Sequence, residues 1–257
     1  MPEGDTVWHT ARVLRDALAG HELLRSDFRV PSLATVDLAG RTVDDVVPRG
    51  KHLLTRVAGG LTIHTHLKME GVYRIVPAGR PVRDHRVRLV LATASRQAVG
   101  VSLGVVELLP TAEEHRVVGH LGPDPLGPDW DAEEAVRRLL AEPDRPIGSA
   151  LLDQRNLAGV GNVYKSEALF LAGVHPETPV RDVRRPAAVA DLARRLLEAN
   201  RDRVKRVTTG DRRRGAELWV YGRWGLPCRR CGTPVAGAGS GGGERVTYWC
   251  PACQPGG

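Results

Sequence analysis

The four cysteines of this 257-residue chain all lie in its last 30 residues, and they constrain that part of the fold more than any other feature. They form two Cys-x2-Cys pairs with 18 residues between them. This spacing is typical of a four-thiolate zinc ribbon, in which an antiparallel hairpin joins two tight knuckles. Two disulfides are the alternative, which a reducing cytoplasm disfavours. We therefore predict one structural Zn2+, bound by Cys228, Cys231, Cys250 and Cys253.

The segment around these cysteines, residues 219–254, is too short to build a stable core unaided, so its fold would depend on the bound metal ion. Four thiolates close the coordination sphere, and such an ion holds structure without taking part in chemistry. Arg245 stands on the return strand of the predicted hairpin, after a glycine-rich tip. Its position alone leaves open whether it reaches into a groove or is a solvated surface charge.

The N-terminal part is predicted to be a helix followed by short strands. Apolar residues recur at three- and four-residue spacing at Val7, Ala11, Leu14 and Leu18, which indicates a helix before Gly20. Short, often alternating segments bounded by Gly, Pro or charged residues follow it. These strand segments are 53–57, 61–66, 72–76, 87–92 and 105–109. The pattern predicts an N-terminal helix laid against a β-sandwich.

From Asp131 onwards the pattern is helical. Asp131 with Glu134 three residues later is a capping signature for a helix over 131–141. Pro146 suits the first turn of a helix through Leu152. The glycine turn at 159–161 ends that helix, and the next is predicted over 163–171, followed by a long basic amphipathic helix over 187–207.

The chain is therefore predicted to be α+β with three domains. They are a β-sandwich over 1–118, a helix–two-turn–helix domain over 125–215 and a zinc-ribbon hairpin over 219–254.

The net charge of +7 is concentrated in one segment. Between Arg201 and Cys231 stand ten Lys or Arg residues and three Asp or Glu residues, so this segment holds the whole excess. Such focused charge favours nucleic acid as partner, because displaced counterions drive binding. A solvated, arginine-rich helix face is the alternative. No apolar run of membrane-spanning length and no signal peptide is found, so we expect a cytoplasmic protein.

The first residues, Met1-Pro2-Glu3-Gly4, have a possible chemistry of their own. Removal of Met1 exposes a secondary α-amine on Pro2, whose reference pKa near 8 leaves more of it neutral at pH 7 than of a lysine amine. Attack of this amine on a sugar C1′ gives a cationic iminium, an electron sink that acidifies the C2′–H and permits elimination of phosphate. Glu3 beside it is a candidate general acid. The alternative is a frayed terminus followed by a helix.

Taken in order, several motifs resemble the formamidopyrimidine-DNA glycosylase and endonuclease VIII (Fpg/Nei) family over nearly the whole chain. Each is suggestive alone, and their order and spacing together are specific. They are Met1–Gly4, Arg49–Leu53, His66–Gly71, Leu151–Gln154, Leu157–Tyr164, Glu167–Leu169 and Arg245–Gln254.

The resemblance implies DNA bound across a cleft between a β-sandwich and a helix–two-turn–helix domain with its zinc finger. Pro2 would be the Schiff-base nucleophile and Glu3 the proton donor to the sugar. Lys51, otherwise a surface lysine after a turn, would donate a proton in β-elimination and contact phosphate. Arg245 would grip the phosphate beside the lesion and assist δ-elimination. Asn162 would contact the DNA backbone at a helix N-terminus.

The loop Lys68-Met69-Glu70 is implied to fill the space that a flipped-out nucleotide leaves. Met69 would be the wedge, with Lys68 beside it facing the DNA, whereas core packing is the usual place of a methionine. His120 stands where relatives often have an arginine, so a backbone contact there would be weaker or pH-dependent.

Two departures bear on specificity. Asp5-Thr6 replaces the Pro-Glu that usually follows in the family, so a second acid of the site is missing. Gly4 favours the Nei branch, which acts on oxidised pyrimidines, whereas the motif His66–Gly71 is more like the Fpg branch, which acts on oxidised purines. Taken together, the chain looks like an actinobacterial-type Nei.

We therefore expect a monomeric bifunctional DNA glycosylase and abasic-site lyase of base excision repair, with damaged duplex DNA as partner and oxidised pyrimidines favoured. Two alternatives stay open. One is a lyase that acts mainly on abasic sites, and the other is a zinc-ribbon DNA-binding protein without catalysis.

Overall fold

The computed structural model describes residues 2–239 and 246–256, and the chain divides into two compact units, Met1–His120 and Leu121–Gly257. The helices and strands of unit 1 are α1 (Gly4–Leu18), β1 (Arg25–Phe28), β2 (Val43–Arg49), β3 (His52–Val57), β4 (Leu61–His66), β5 (Val72–Pro77), β6 (Val87–Ala92), β7 (Arg96–Val101), β8 (Val105–Pro110) and α2 (His115–Val118). Those described in unit 2 are α3 (Ala132–Leu140), α4 (Ile147–Leu152), α5 (Asn162–Ala172), α6 (Pro186–Asn200), β9 (Ala236–Ala238) and β10 (Thr247–Trp249).

Unit 1 is a β-sandwich of two four-stranded antiparallel sheets, in the orders β1-β6-β7-β5 and β2-β3-β4-β8. Helix α1 packs along β2 and also touches β3, β5 and β7. The predicted stripe of Val7, Ala11, Leu14 and Leu18 is fully buried in the sandwich core. The predicted helix and sandwich are confirmed, because one apolar face of the helix covers the inner faces of the strands.

All five predicted strands are present, and three further strands were not predicted. Strand β1 is a four-residue edge strand with two polar residues in its centre. Strand β2 contains Asp44, Asp45 and Pro48 and carries a register shift between Val43 and Asp45. Strand β7 includes Gly100. These residues break the alternation of apolar and polar positions on which prediction of a strand depends.

In unit 2, α4 and α5 are joined by a turn that its own side chains hold together. The amide nitrogen of Gln154 donates to the carbonyl oxygens of Leu152 (2.8 Å) and Val160 (2.9 Å). Its amide oxygen accepts from the Gly159 N–H at 3.0 Å. A side chain on Gly122 would lie 2.5 Å from two carbonyl oxygens of this turn, so only glycine allows that close approach. The helix–two-turn–helix prediction is confirmed.

The predicted cap of α3 is also present. The Asp131 carboxylate accepts from the N–H groups of Glu133 and Glu134, both at 3.0 Å. It therefore satisfies two of the N–H groups that the first helical turn leaves without partners.

The predicted helix over 187–207 is too long, because α6 ends at Asn200. The Asn200 amide nitrogen donates to the carbonyl oxygen of Val207 at 3.1 Å, and its amide oxygen accepts from the Val207 N–H at 2.7 Å. This buried pair of bonds folds residues 201–207 back on the helix end. The basic residues from Arg201 onwards therefore lie on irregular chain rather than on a helix face. Within the described residues, no helix is long and apolar enough to span a bilayer.

Candidate active site and zinc centre

The four cysteines meet at one point of unit 2, on the antiparallel β9–β10 hairpin and its flanks. Their sulfur atoms all lie within 4.8 Å of one another; Cys228 and Cys253 are 4.0 Å apart, and Cys231 and Cys250 are 3.5 Å apart. A tetrahedral zinc ion with Zn–S bonds of about 2.3 Å needs sulfur atoms about 3.8 Å apart. The arrangement fits Zn2+, and all four ligands come from the protein, so the site is structural.

The zinc knuckles are anchored to helix α5. The buried side chain of Gln254 accepts from the Cys250 N–H at 3.0 Å and donates to the carbonyl oxygen of Val174, just after α5, at 2.7 Å. Phe170 of α5 stacks on Trp219 with ring centroids 5.5 Å apart, and both belong to the apolar cluster around the cysteines. The zinc module therefore packs on α5 through both polar and apolar contacts.

The candidate nucleophile and acid stand at the start of α1. Pro2 is half-buried, and Glu3 occupies the N-cap position of α1 and is fully buried. A carboxylate at a helix N-terminus lies in the positive end of the helix dipole. Met1 lies outside the described residues, so its removal stays a prediction.

The candidate lysine stands on the hairpin turn between β2 and β3. Gly50 takes the first central position of this two-residue turn with φ +57°, a left-handed conformation that glycine adopts without strain, and Lys51 follows it. A hydrogen bond joins the last turns of α1 to the first residues of β2, since Arg15 donates to the Asp45 carboxylate at 2.6 Å. Helix and strand have similar lengths, about 22 Å and 23 Å. The turn that carries Lys51 therefore stands at the end of a strand that packs along α1.

The predicted wedge loop follows β4. Met69 is 56% exposed at the tip of this turn, so the alternative that its side chain packs in the core is wrong. Lys68 is also exposed and has φ +52°, and its N–H donates to Nδ1 of His66 at 2.9 Å. The aliphatic part of the Lys68 side chain packs against Gly104. A Cβ atom added to Gly104 would lie 2.2 Å from Cγ of Lys68. The loop is therefore a defined turn that presents an apolar side chain to solvent.

His120 is exposed and lies 6.3 Å from His52, ring centroid to ring centroid. This contact belongs to a cluster of histidines on the outer face of β3 and β4, which sequence reasoning did not find. His52 stacks on His64 at 5.0 Å and meets His66 edge-on at 4.9 Å. The signal in the sequence was the alternation His64-Thr65-His66, since residues two apart share a face of a strand.

Asn162 begins α5 and is buried, and its amide nitrogen donates to the carbonyl oxygen of Val246 at 2.7 Å. Nearby, buried Lys165 donates to Thr247 Oγ1, also at 2.7 Å. These bonds tie the return strand of the hairpin to α5. The predicted phosphate contact of Asn162 stays a prediction. Arg245 lies outside the described residues, immediately before the anchored Val246.

Together, the β-sandwich with its N-terminal helix, the helix–two-turn–helix and the zinc finger define a class of zinc-finger proteins with a helix–two-turn–helix unit. Three family models match successive parts of the chain. They are the formamidopyrimidine-DNA glycosylase N-terminal domain over residues 1–101, the formamidopyrimidine-DNA glycosylase H2TH domain over 121–207, and the zinc finger found in FPG and IleRS over 225–256.

Similar proteins cover the full length. The chain is 60% identical to the Probable endonuclease 8 2 of Streptomyces coelicolor, over all of this chain and 95% of that protein. It is 55% identical to the DNA-(apurinic or apyrimidinic site) lyase Nei2 of Mycolicibacterium smegmatis, over 99% of each. A solved structure of Lactococcus lactis Fpg in complex with N7-benzyl-Fapy-dG DNA superposes with a TM-score of 0.83 at 26% identity, over 99% of this chain and 100% of the other. The chain belongs to the Fpg/Nei family.

Proposed function

We propose that this protein is a bifunctional DNA glycosylase and abasic-site lyase of base excision repair, acting as a monomer on damaged duplex DNA. The observation that carries the proposal is the start of α1, where Pro2 precedes a fully buried Glu3 in a chain that belongs to the Fpg/Nei family. We place the chemistry in the predicted domain 1–118 and the grip on DNA in 125–215 and 219–254, and we expect the protein on the nucleoid in the cytoplasm.

The reaction begins when the secondary amine of Pro2 attacks C1′ of the damaged nucleotide. Glu3 protonates the opening sugar ring, and the base leaves. The amine loses its proton, and a cationic iminium to C1′ remains. Water takes the C2′ proton, and the electron pair of the C2′–H bond moves to the iminium to form an enamine. The enamine then expels the 3′ phosphate, which takes a proton from Lys51 as it leaves. A second elimination, assisted by Arg245, expels the 5′ phosphate, and hydrolysis frees Pro2.

Binding is assigned to four further side chains. Met69, exposed at its turn, is the wedge that fills the stack when the nucleotide is flipped out, and Lys68 beside it faces the backbone. His120 contacts a phosphate. Asn162 contacts the backbone at the start of α5, where helix N–H groups and dipole favour an anion. We propose oxidised pyrimidines as the favoured bases.

A second candidate is a lyase that acts mainly on abasic sites. It is favoured by the 55% identical relative whose name describes abasic-site lyase activity, and by the loss of a second acid at Asp5-Thr6. In this case Pro2 performs the same elimination, but base excision is slow.

Borohydride trapping on abasic duplex DNA tests the nucleophile. We expect a covalent adduct with the free N-terminus and none when a residue that is not removed precedes Pro2. The same protein with an extension at the C-terminus is the matched control and should be trapped normally. An adduct that forms equally well with the blocked amine contradicts the proposal.

Base excision by wild-type protein and by Glu3→Gln separates the two candidates. A glycosylase should lose about 10²-fold or more in excision of 5-hydroxyuracil or thymine glycol, because the acid is gone, while nicking of a preformed abasic site falls less. If wild-type protein nicks abasic DNA but excises neither these bases nor 8-oxoguanine, the lyase candidate holds instead.

A further inference from the structure

Three side chains on the outer face of the β2-β3-β4-β8 sheet form a continuous hydrogen-bonded chain. Nδ1 of His52 lies 2.8 Å from Nε2 of His64, and Nδ1 of His64 lies 2.9 Å from Oε2 of Glu107. The strand register places His64 directly opposite Glu107. His52 lies on the same face, diagonal to His64. His64 is buried, whereas the Glu107 side chain is about half exposed. The chain thus runs from a solvated carboxylate through a buried imidazole to the residue after Lys51.

This chain fixes the tautomers of its members. An ionised Glu107 only accepts, so His64 carries its proton on Nδ1 and offers the lone pair of Nε2. His52 must then donate from Nδ1, which leaves its Nε2 without a hydrogen while the ring is neutral. His66, directly opposite His52, has the other tautomer, because its Nδ1 accepts from the Lys68 N–H. His66 therefore carries its hydrogen on Nε2.

The titratable groups around His52 are mostly basic. Arg49 on β2 is the strand neighbour of His52, Lys51 precedes it in the chain, and Lys68 follows β4. The neighbouring rings are those of His64, His66 and His120. The acid in the chain is Glu107, and further along the same face Glu114 is already bound by Arg56 at 2.7 Å. Burial, together with the neighbouring histidines and Lys68, lowers the pKa of His52 to about 3. Burial, together with Lys68, His64 and Lys51, lowers the pKa of His66 to about 4. In the unbound protein both rings are neutral near pH 7.

We propose that Glu107 and His64 are positioning residues for His52, and that His52 takes up a proton when a phosphate of the damaged strand binds at the turn of Lys51. The proposal rests on the proposed function, which brings DNA to that turn. A phosphate oxygen can accept directly from Nε2 of His66 but finds only a lone pair at Nε2 of His52. Protonation turns His52 into a second donor, and the Glu107 carboxylate stabilises the new charge through His64.

The geometry of the histidine cluster does not indicate a metal site. Within residues 2–239 and 246–256, the only group of His, Cys, Asp or Glu side chains arranged to hold a metal ion is the four cysteines. Both ring nitrogens of His64 are already engaged in the chain.

The proposal predicts that DNA affinity rises as pH falls. We would measure Kd for a duplex with a tetrahydrofuran abasic analogue between pH 7 and pH 5 at constant ionic strength, since salt alone changes such affinities. Below the pKa that His52 has in the complex, one proton taken up on binding gives up to tenfold tighter binding per pH unit. Glu107→Gln keeps an acceptor for His64 but removes the charge, so most of this gain should disappear. Glu113→Gln, which removes one charge from a carboxylate paired with the exposed Arg116, should keep the wild-type slope.

Nitrogen-15 NMR of the histidines in wild-type protein gives a readout that does not depend on any variant. Free His52 should show a neutral ring with hydrogen on Nδ1, and the complex should show both nitrogens protonated. A ring that stays neutral in the complex at pH 5, or an equal pH slope in Glu107→Gln and wild type, overturns the proposal. Borohydride trapping at pH 8 tests the proposed function separately, so trapping without the pH response rejects the histidine chain alone.

Discussion

At the scale of single residues, Glu167 shows how one buried carboxylate can hold two segments together. It lies in α5 and is fully buried. Its oxygens accept from the N–H groups of Trp219, Val220 and Tyr221, each at 2.8 Å, and from the Thr208 hydroxyl. One side chain of α5 therefore accepts four hydrogen bonds from the chain that leads into the zinc module.

Glu167→Ala should lower the free energy of unfolding by about 3 kcal/mol or more, because it leaves one buried and two partly buried N–H groups without acceptors. Urea unfolding of the zinc-loaded protein measures this. Glu177→Ala, at an exposed position of the same unit, is the control and should change stability by less than about 0.5 kcal/mol. Equal losses in the two variants would mean that the N–H groups find other partners.

At the scale of elements, the histidine face of β3 and β4 makes unit 1 sensitive to acid. Burial lowers the pKa of His52 from 6.5 to about 3, so the unfolded chain binds this proton first as pH falls. Stability from His52 is complete above pH 6.5, decreases below it, and is fully lost below about pH 3. The slope is at most about 1.4 kcal/mol per pH unit for one group.

We expect His52→Asn to flatten the decline in unfolding free energy between pH 6.5 and 4.5, because an amide N–H can still donate to His64 but does not titrate. Urea unfolding at four pH values checks it. His85→Asn, at a side chain that is almost fully exposed, should follow the wild-type curve. If His52→Asn declines as steeply as wild type, the neutral ring is not what acid destabilises.

At the scale of the whole molecule, the zinc centre and the β-sandwich belong to different compact units. The β9–β10 hairpin has three residues in each strand, and the apolar cluster around the cysteines is small. Folding of such a module depends on metal binding. The sandwich has its own core.

Removing zinc with a strong chelator should therefore abolish binding of the abasic-analogue duplex while most of the β-sheet circular dichroism remains. Re-addition of one equivalent of Zn2+ should restore binding. The measured stoichiometry should be one zinc per chain with four titratable thiols after denaturation. Purified protein with no metal and no free thiol would show that the cysteines pair as disulfides.

The sequence alone determined the features that depend on neighbours along the chain. The spacing of Cys228, Cys231, Cys250 and Cys253 specified a zinc hairpin, because the geometry of each knuckle is local. The apolar stripe of α1 and the cap at Asp131 were readable for the same reason. The motif order was sufficient to indicate the family, and with it the candidate roles of the first residues.

The tertiary structure decided what depends on strand register and long-range contacts. His52, His64 and Glu107 meet only because three strands pair in one register, and a shift of one residue would turn them to opposite faces. Asn200 ends α6 because Val207 returns to it, and Glu167 finds its N–H partners more than 50 residues away. Local patterns carry no information about such meetings, since their free energy comes from groups that only the folded chain brings together.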